Sequence, residues 1–547
     1  MTAFADHLII APIVLPLLAG ALLLLVDDRR RPFKATVAVA VTAALLVISI
    51  LLLRRADGQT ALSQTVSYAL GDWPAPFGIV LVLDRLSAMM VLLTSILGLA
   101  ALVFSLARWH RAGPNFHTLF LFLLMGLNGA FLTGDLFNLF VFFEVLLAAS
   151  YALVLHGMGV VRVKAGLHYI VVNLAASTLF LIGVSLIYGV SGTLNMADLA
   201  TRIPGMNDHD RMFLEAGAAI LGVAFLVKAG MWPLSFWLPT AYAAASAPAA
   251  AIFSVMTKVG VYIILRLSLL LFGASAGESA HFGSQVLLYG GMATIAFGLV
   301  GVLATQTMSR LAGYSVLVSS GTLLAAIGVG NAAATSGALF YLVNSTLAIA
   351  GFFLLIELVE RGRDAGADVL AVTMEAFGYT DEDDVNEEVE VGERIPTILA
   401  FLGGSFIACG LLLAGLPPLS GFLAKFALMS AIMDPAGIGT GGPQHVVTWV
   451  LIALLILSGL SAMLAMTRIG IQTFWSPLET AVPGVRGVEV AAVAFLLLLC
   501  VLMTVRAAPV LDFMEETAMS LHAPKAYVDS VLSPGAPVDA KRTGAKP

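Results

Sequence analysis

The chain predicts an all-α polytopic membrane protein of about fourteen transmembrane helices, built as two inverted five-helix repeats with helices 7 and 12 broken. Three observations predict this. Hydrophobic residues make up 59% and charged residues 11% of 547 residues, with a mean hydropathy of +0.97, outside the range of soluble domains. Apolar stretches of about 20 residues, the length needed to cross a hydrocarbon core about 30 Å thick, recur along the whole chain. Finally, Gly230-Met231-Trp232-Pro233-Leu234-Ser235 is echoed by Gly415-Leu416-Pro417-Pro418-Leu419-Ser420.

Taken in order, the apolar stretches are residues 8–26, 35–53, 77–107, 116–133, 136–156, 167–190, 212–230 with a continuation to 245, 247–272, 285–303, 311–329, 337–360, 395–432 with an interruption, 446–474 and 488–505. The first is a span and not a secretory signal, because Asp6 and His7 replace a basic n-region and no A-x-A site precedes Asp27. The two echoed segments fall in the seventh and twelfth stretches, five apart. An odd offset reverses direction, so spans 4–8 (residues 116–273) are mirrored by spans 9–13 (residues 274–475). Residues 1–115 hold the first three spans, and residues 476–547 the last span and a tail. Pro233, and Pro417 with Pro418, break their helices inside the membrane, since proline lacks an N–H and clashes with the preceding turn. Paired interruptions of this kind point to an ion path.

Orientation follows from Lys and Arg in alternate loops. One set holds Arg29, Arg30, Arg31, Lys34, Arg108, Arg111, Arg162, Lys164, Arg310, Arg361, Arg363, Arg394, Arg468 and Arg486; the other holds Arg54, Arg55, Arg202 and Arg211. The richer set is cytoplasmic, which puts both termini outside. Residues 361–394 form the one long polar loop, with an acidic core TDEDDVNEEVEVGE. It reads as a solvated loop, or as a site of cation attraction or subunit docking; Val385 and Asn386 spoil a calcium-loop pattern. The tail from about residue 521 reads as loosely ordered.

The chain has eight lysines, and three of them, Lys228, Lys258 and Lys425, fall in apolar spans together with Glu144. A charge near the bilayer centre costs roughly 2.5–3.5 kcal/mol on insertion scales, so such residues face a protein interior or a water-filled path. A low-dielectric interior disfavours the charged lysine, and a nearby glutamate favours it. Glu144 and Lys228 therefore read as a switch that holds or releases a proton, or as a static ion pair. Tyr262 lies four residues after Lys258 on one helix face, and Gly260 between them admits a neighbouring helix. Arg266, near that helix's end, reads as snorkelling to the interface. Lys425 follows the second break by about two turns, where unwound backbone can hold water. Asp135 reads as a helix cap or a mouth residue, and Asp84-Arg85 as a local ion pair.

Nothing points to covalent chemistry. There is no phosphate-binding glycine loop, nucleophile motif or haem or iron–sulfur cysteine pattern. Cys409 and Cys500 read as small buried hydrophobes, and no metal site, cofactor or nucleic-acid partner is expected.

The segments TGDLFNLFVFFEVLLAASY from Thr133, FLVKAGMWPLSFWLPTAY from Phe225, TKVGVY from Thr257, LDRLSAMM from Leu83 and AGLPPLSGFLAKF from Ala414 resemble the proton-translocating superfamily of Mrp-type cation/proton antiporters and the antiporter-like subunits of respiratory complex I. The form GDLFNLFVFFEVL is most similar to the D-type subunits of multisubunit Mrp antiporters. The resemblance implies a bacterial plasma-membrane assembly with other Mrp subunits, one of them a larger paralogue, that exports sodium or potassium while protons enter. It implies Glu144 and Lys228 as the coupled pair, Lys258 as the central relay lysine and Lys425 as that of the second half. The alternative it leaves is a proton-pumping subunit of complex I or of a membrane-bound hydrogenase. Three positions depart from the pattern. Asn344 and Ile349 stand where relatives have titratable residues in span 11, and Tyr242 stands where complex I relatives often have histidine. The relay from Lys258 to Lys425 would then lean on Asn344, Ser345, Ser319, Ser320, Tyr314 and water.

Overall fold

The computed structural model describes residues 7–58, 65–157, 159–377, 397–433, 446–474 and 484–533. Among the described residues twelve helices are long and apolar enough to cross a membrane; with the shorter Ala11–Leu24 and Phe116–Leu132, and with Ser420–Met433 as the second half of a broken span, they make fourteen passes. In order, span 1 is Ala11–Leu24, span 2 Arg31–Ala56, span 3 Arg85–Ser105, span 4 Phe116–Leu132, span 5 Leu136–Leu155 and span 6 Val160–Ser191. Span 7 is Asp208–Ala229 with Leu238–Ala244, span 8 Ala247–Leu270, span 9 Ser284–Ala304, span 10 Met308–Val329 and span 11 Ala332–Phe377. Span 12 is Thr397–Ala414 with Ser420–Met433, span 13 Val446–Phe474 and span 14 Gly487–Val505.

Burial ranks the spans. The most apolar window is 100% buried in span 8 and 94% in span 11, against 28% in span 2. Spans 8 and 11 are thus the axis of the molecule, which is why polar groups on them can be kept from lipid. The two breaks repeat in detail. Gly230 and Gly415 both adopt left-handed backbone, at φ 75° and 74°, and the next N–H reaches back to the last turn, Met231 to Leu226 O and Leu416 to Leu411 O, both at 3.0 Å. This is the glycine helix stop, which a side chain would strain. The Trp232–Pro233 and Pro417–Pro418 bonds are both cis.

Three expectations are corrected. Span 3 starts at Arg85, not near residue 77. Val80–Leu83 instead pairs as an antiparallel strand with Val66–Ala69, and Asp84 closes a capping box with Ser87, so a small hairpin stands where a continuous helix was expected. Span 11 runs through Phe377, so the first part of the expected acidic loop is helical; its core, residues 380–393, lies outside the described residues. The tail is ordered further than expected. Ala507–His522 and Lys525–Leu532 are helices that bury Met514, Leu521, Tyr527 and Val531, and Ser67 Oγ donates to Ser530 O at 2.6 Å. They cover the end of the molecule that carries the hairpin.

Gly260 admits span 7 as expected. A Cβ there would lie 2.7 Å from Ala229 N and from Phe225 O, both backbone atoms that cannot swing aside. Gly260→Leu is therefore expected to destabilise the protein by roughly 3 kcal/mol, read as a lower thermal midpoint of the purified assembly; an unchanged midpoint would contradict the close crossing.

Candidate functional site

Lys228 ends the first half of span 7, two residues before Gly230. It is fully buried and donates to Asn173 Oδ1 on span 6 at 3.3 Å. Its ammonium also lies 5.7 Å from the Phe143 ring and 5.6 Å from the Tyr169 ring. Glu144, on span 5, accepts from Ser177 Oγ on span 6. Among the described residues no ion pair joins Glu144 to Lys228, although their holders on span 6 stand one turn apart. In place of the expected direct pair, each group is held by its own residue of span 6, Lys228 by Asn173 and Glu144 by Ser177. Sequence reasoning misses both Asn173 and Ser177; an Asn and a Ser one turn apart in an apolar span are the available signal.

Lys258 sits at the middle of span 8, also fully buried. It donates to Ser319 Oγ on span 10 at 2.7 Å, and Ser319 donates to Ser345 Oγ on span 11 at 2.9 Å. Asn344, the neighbour of Ser345, accepts from Ser420 Oγ at the start of the second half of span 12, at 2.6 Å. Lys425 folds back over the break in its own span. It donates to Ala414 O, the carbonyl freed where the helix stops, at 3.1 Å, and to Ser458 Oγ on span 13 at 3.3 Å. Gly415 and Gly459 leave it room, since a Cβ on either would come within 3.2 Å of its side chain.

A small cavity lies between these two lysine stations. It is lined by Ser315, Ser319, Tyr341, Asn344, Ser345, Ile349 and Ser458 together with apolar residues, and offers about 20 Å³ to the centres of water molecules. A polar void of that size holds about one water. It touches the hydroxyl that holds Lys258 and the hydroxyl that holds Lys425, where a water-dependent link was expected.

Other expected residues lie elsewhere. Tyr262 turns from Lys258, donating to Phe131 O at 2.5 Å and accepting from Arg266 at 3.1 Å. Tyr242 donates to Phe253 O at 3.0 Å and packs among Trp237, Phe253 and Phe353. Tyr314 is half-buried against Gly301 and Phe297, outside the cavity. Ser320 is buried with no hydrogen-bond partner. Pro233, Pro417 and Pro418 stand at the breaks, as expected.

Two readings at the hairpin end are corrected. Arg266 does not snorkel but forms a buried ion pair with Asp84, while Arg85 pairs with Glu516 at 2.6 Å and Asp57 at 3.6 Å. Burial works to raise the Asp84 carboxyl, but the Arg266 guanidinium, with Ser87, holds it below the usual carboxylate range. Asp135 caps span 5 by accepting from Phe137 N and Asn138 N; burial nonetheless pushes its carboxyl up. Among the described residues no group of three His, Cys, Asp or Glu side chains could hold a metal ion.

The fold and these stations define a class: a multi-pass membrane protein of two inverted halves, each with a broken helix and buried lysine. The transmembrane family described as NADH:quinone oxidoreductase/Mrp antiporter matches residues 133–439, more than half the chain, and the chain belongs to that family. A protein of Rhizobium meliloti, named as the probable D-type subunit of a K(+)/H(+) antiporter, is 60% identical over 97% of this chain and 99% of its own. The D-type subunit of the Na(+)/H(+) antiporter of Alkalihalophilus pseudofirmus is 34% identical over 96% and 99%. A chain of the solved Mrp complex of a Dietzia species superposes with a TM-score of 0.79 at 25% identity, over 97% of this chain and 100% of that one. The expected resemblance thus holds along nearly the whole chain.

Removing one member of a buried ion pair leaves the other uncompensated. Arg266→Leu is expected to cost about 3–5 kcal/mol in thermal unfolding of the purified assembly, with part recovered by adding Asp84→Leu. No recovery in the double variant would contradict the pairing.

Proposed function

We propose that the chain is the proton-conducting subunit of a multisubunit Na+ or K+/H+ antiporter, which exports cytoplasmic monovalent cation in exchange for external protons. The observation that carries this reading is the row of three lysines, each buried, each held by neutral oxygen acceptors, with a polar void between the second and third. An ammonium buried without a contacting carboxylate is costly, so each lysine has reason to give up its proton and take it back during turnover. Protons then pass from the Glu144–Lys228 station to Lys258, through Ser319, Ser345 and a water to Ser458, and on to Lys425. A charge crossing 100 mV is worth about 2.3 kcal/mol, so entry of more protons than cations leaving drives export against a gradient.

The assembly is a hetero-oligomer in the bacterial plasma membrane that includes a larger paralogue, with both termini of this chain outside. Support for subunit partners comes from the names of the relatives, which are subunits, and from the Mrp complex that the fold matches. The residue roles rest on the geometry described above.

The test is fluorescence-quench cation/proton exchange in everted vesicles carrying the whole complex, run with sodium and with potassium. Lys228→Ala and Lys258→Ala complexes that assemble at normal levels are expected to lose at least about 90% of exchange, which is one factor of ten. Full exchange in both would sink the reading in favour of an inert scaffold. Iron–sulfur or flavin subunits co-purifying with the chain would instead favour a redox-driven assembly.

A further inference from the structure

We propose that Asn173 and Ser177 are the positioning residues of the first switch: they hold Lys228 and Glu144 apart, so that the unpaired arrangement is the resting state and the direct ion pair a transient one. This rests on the functional reading above. Asn173 and Ser177 lie four residues apart on span 6, hence one above the other on one helix face. One takes the ammonium and the other the carboxylate. Each charge has a neutral holder of the right polarity, an amide oxygen for the cation and a hydroxyl donor for the anion.

The holders are themselves fixed. The Asn173 amide is oriented by its Nδ2, which donates to Tyr169 O at 2.8 Å, so its oxygen faces Lys228. The Tyr169 ring, one face of the cage around the ammonium, is pinned by Ser150 Oγ on span 5 at 2.7 Å. Opposite it stands Phe143, the residue beside Glu144. Two ring faces and an amide oxygen suit an ammonium without a counter-ion, because the ring quadrupole attracts a cation. The second half repeats one element of this. There the span before the break also carries an asparagine, Asn344, whose oxygen accepts from the broken helix that follows, through Ser420. In the first half the corresponding hydroxyl, Ser235 Oγ, is buried without a partner, and the asparagine there holds the lysine instead.

The ionisable groups facing the station are few. Tyr169 of span 6 lies 5.6 Å from the Lys228 ammonium, and Tyr151 stands on the same span as Glu144, seven residues on; a phenol ordinarily titrates at about 10. Glu144, held one turn along span 6 from Asn173, is the carboxylate beside Lys228. Span 8 meets span 7 here through Gly260, and span 10 meets Gly230 through Leu317, neither of which ionises. The pH response of this station is therefore set by whether Lys228 is held by Asn173 or by Glu144.

The sign follows. A direct pair favours the charged lysine, so a variant that lets the pair close must be taken to higher pH before the proton leaves. In vesicles carrying the full complex, Asn173→Leu and Ser177→Ala are expected to move the midpoint of the pH–rate profile upward by about one unit and to lower exchange at neutral pH several-fold, while Ser177→Thr, which keeps the hydroxyl, retains the original midpoint. Midpoints that stay in place or move to lower pH in assembled Asn173→Leu or Ser177→Ala complexes overturn the proposal; should Asn173→Leu fail to assemble, the Ser177 pair decides alone. Lys228→Ala run alongside separates the two failures. If it abolishes exchange while both span 6 variants keep the original profile, only the positioning role falls; if it and Lys258→Ala both exchange normally, the functional reading falls with it.

Discussion

The structure is organised around the burial of three ammonium groups with, among the described residues, no carboxylate in contact with any of them. Water would solvate such a group at no cost, but in the interior each must be given oxygen atoms, and the chain finds them in three ways. Lys228 takes a side-chain amide, Lys258 a hydroxyl, and Lys425 a hydroxyl plus a carbonyl that exists only because its helix is broken. The break in span 12 is thus part of the site as well as of the fold: the same missing hydrogen bond that ends the helix at Ala414 frees the acceptor. Neutral acceptors stabilise an ammonium enough to house it and too little to lock it, which is the condition a relay group must meet.

The inverted repeat supplies the frame, but its halves are not chemical copies. In the first half the lysine precedes the glycine stop and meets the preceding span; in the second it follows the stop and folds back across it. That asymmetry gives the two lysines separate environments on one architecture. The central Lys258, on the most buried span, lies between them in sequence and is linked by Ser319 and Ser345 to the void that reaches Ser458. The tail helices and the Asp84–Arg266 pair close the hairpin end and hold span 8 there, apart from the proposed relay.

Much of this is legible in the chain itself. Lysine is rare enough here, and costly enough in a membrane, that Lys228, Lys258 and Lys425 stand out at once, and the glycine–proline echo exposes both breaks because those residue types act on backbone locally. Asn344 and Ile349 line the void, and they stand out only against the pattern of the family that the chain resembles. What is not legible depends on distance in sequence. Asp84 finds Arg266 across 182 residues, so the adjacent Arg85 looks the natural partner. Tyr262 shares a face with Lys258, yet its hydroxyl is drawn to a backbone carbonyl of span 4 and to Arg266, stronger claims than a lysine already held by Ser319. Asn173 and Ser177 look like ordinary polar substitutions in a long apolar span, because nothing local says that one will meet a cation and the other an anion. The hairpin is hidden because its apolar strand runs straight into span 3.

The central claim is that protons pass from Lys258 to Lys425 through the void beneath Ser345. Cation-driven proton movement in vesicles bearing the whole complex with Ser345→Leu tests it most directly, since leucine fills the void and removes the hydroxyl while leaving all three lysines in place. The complex is expected to assemble at normal levels while exchange falls by at least about tenfold; exchange at the original rate in that variant would show that the void carries no protons.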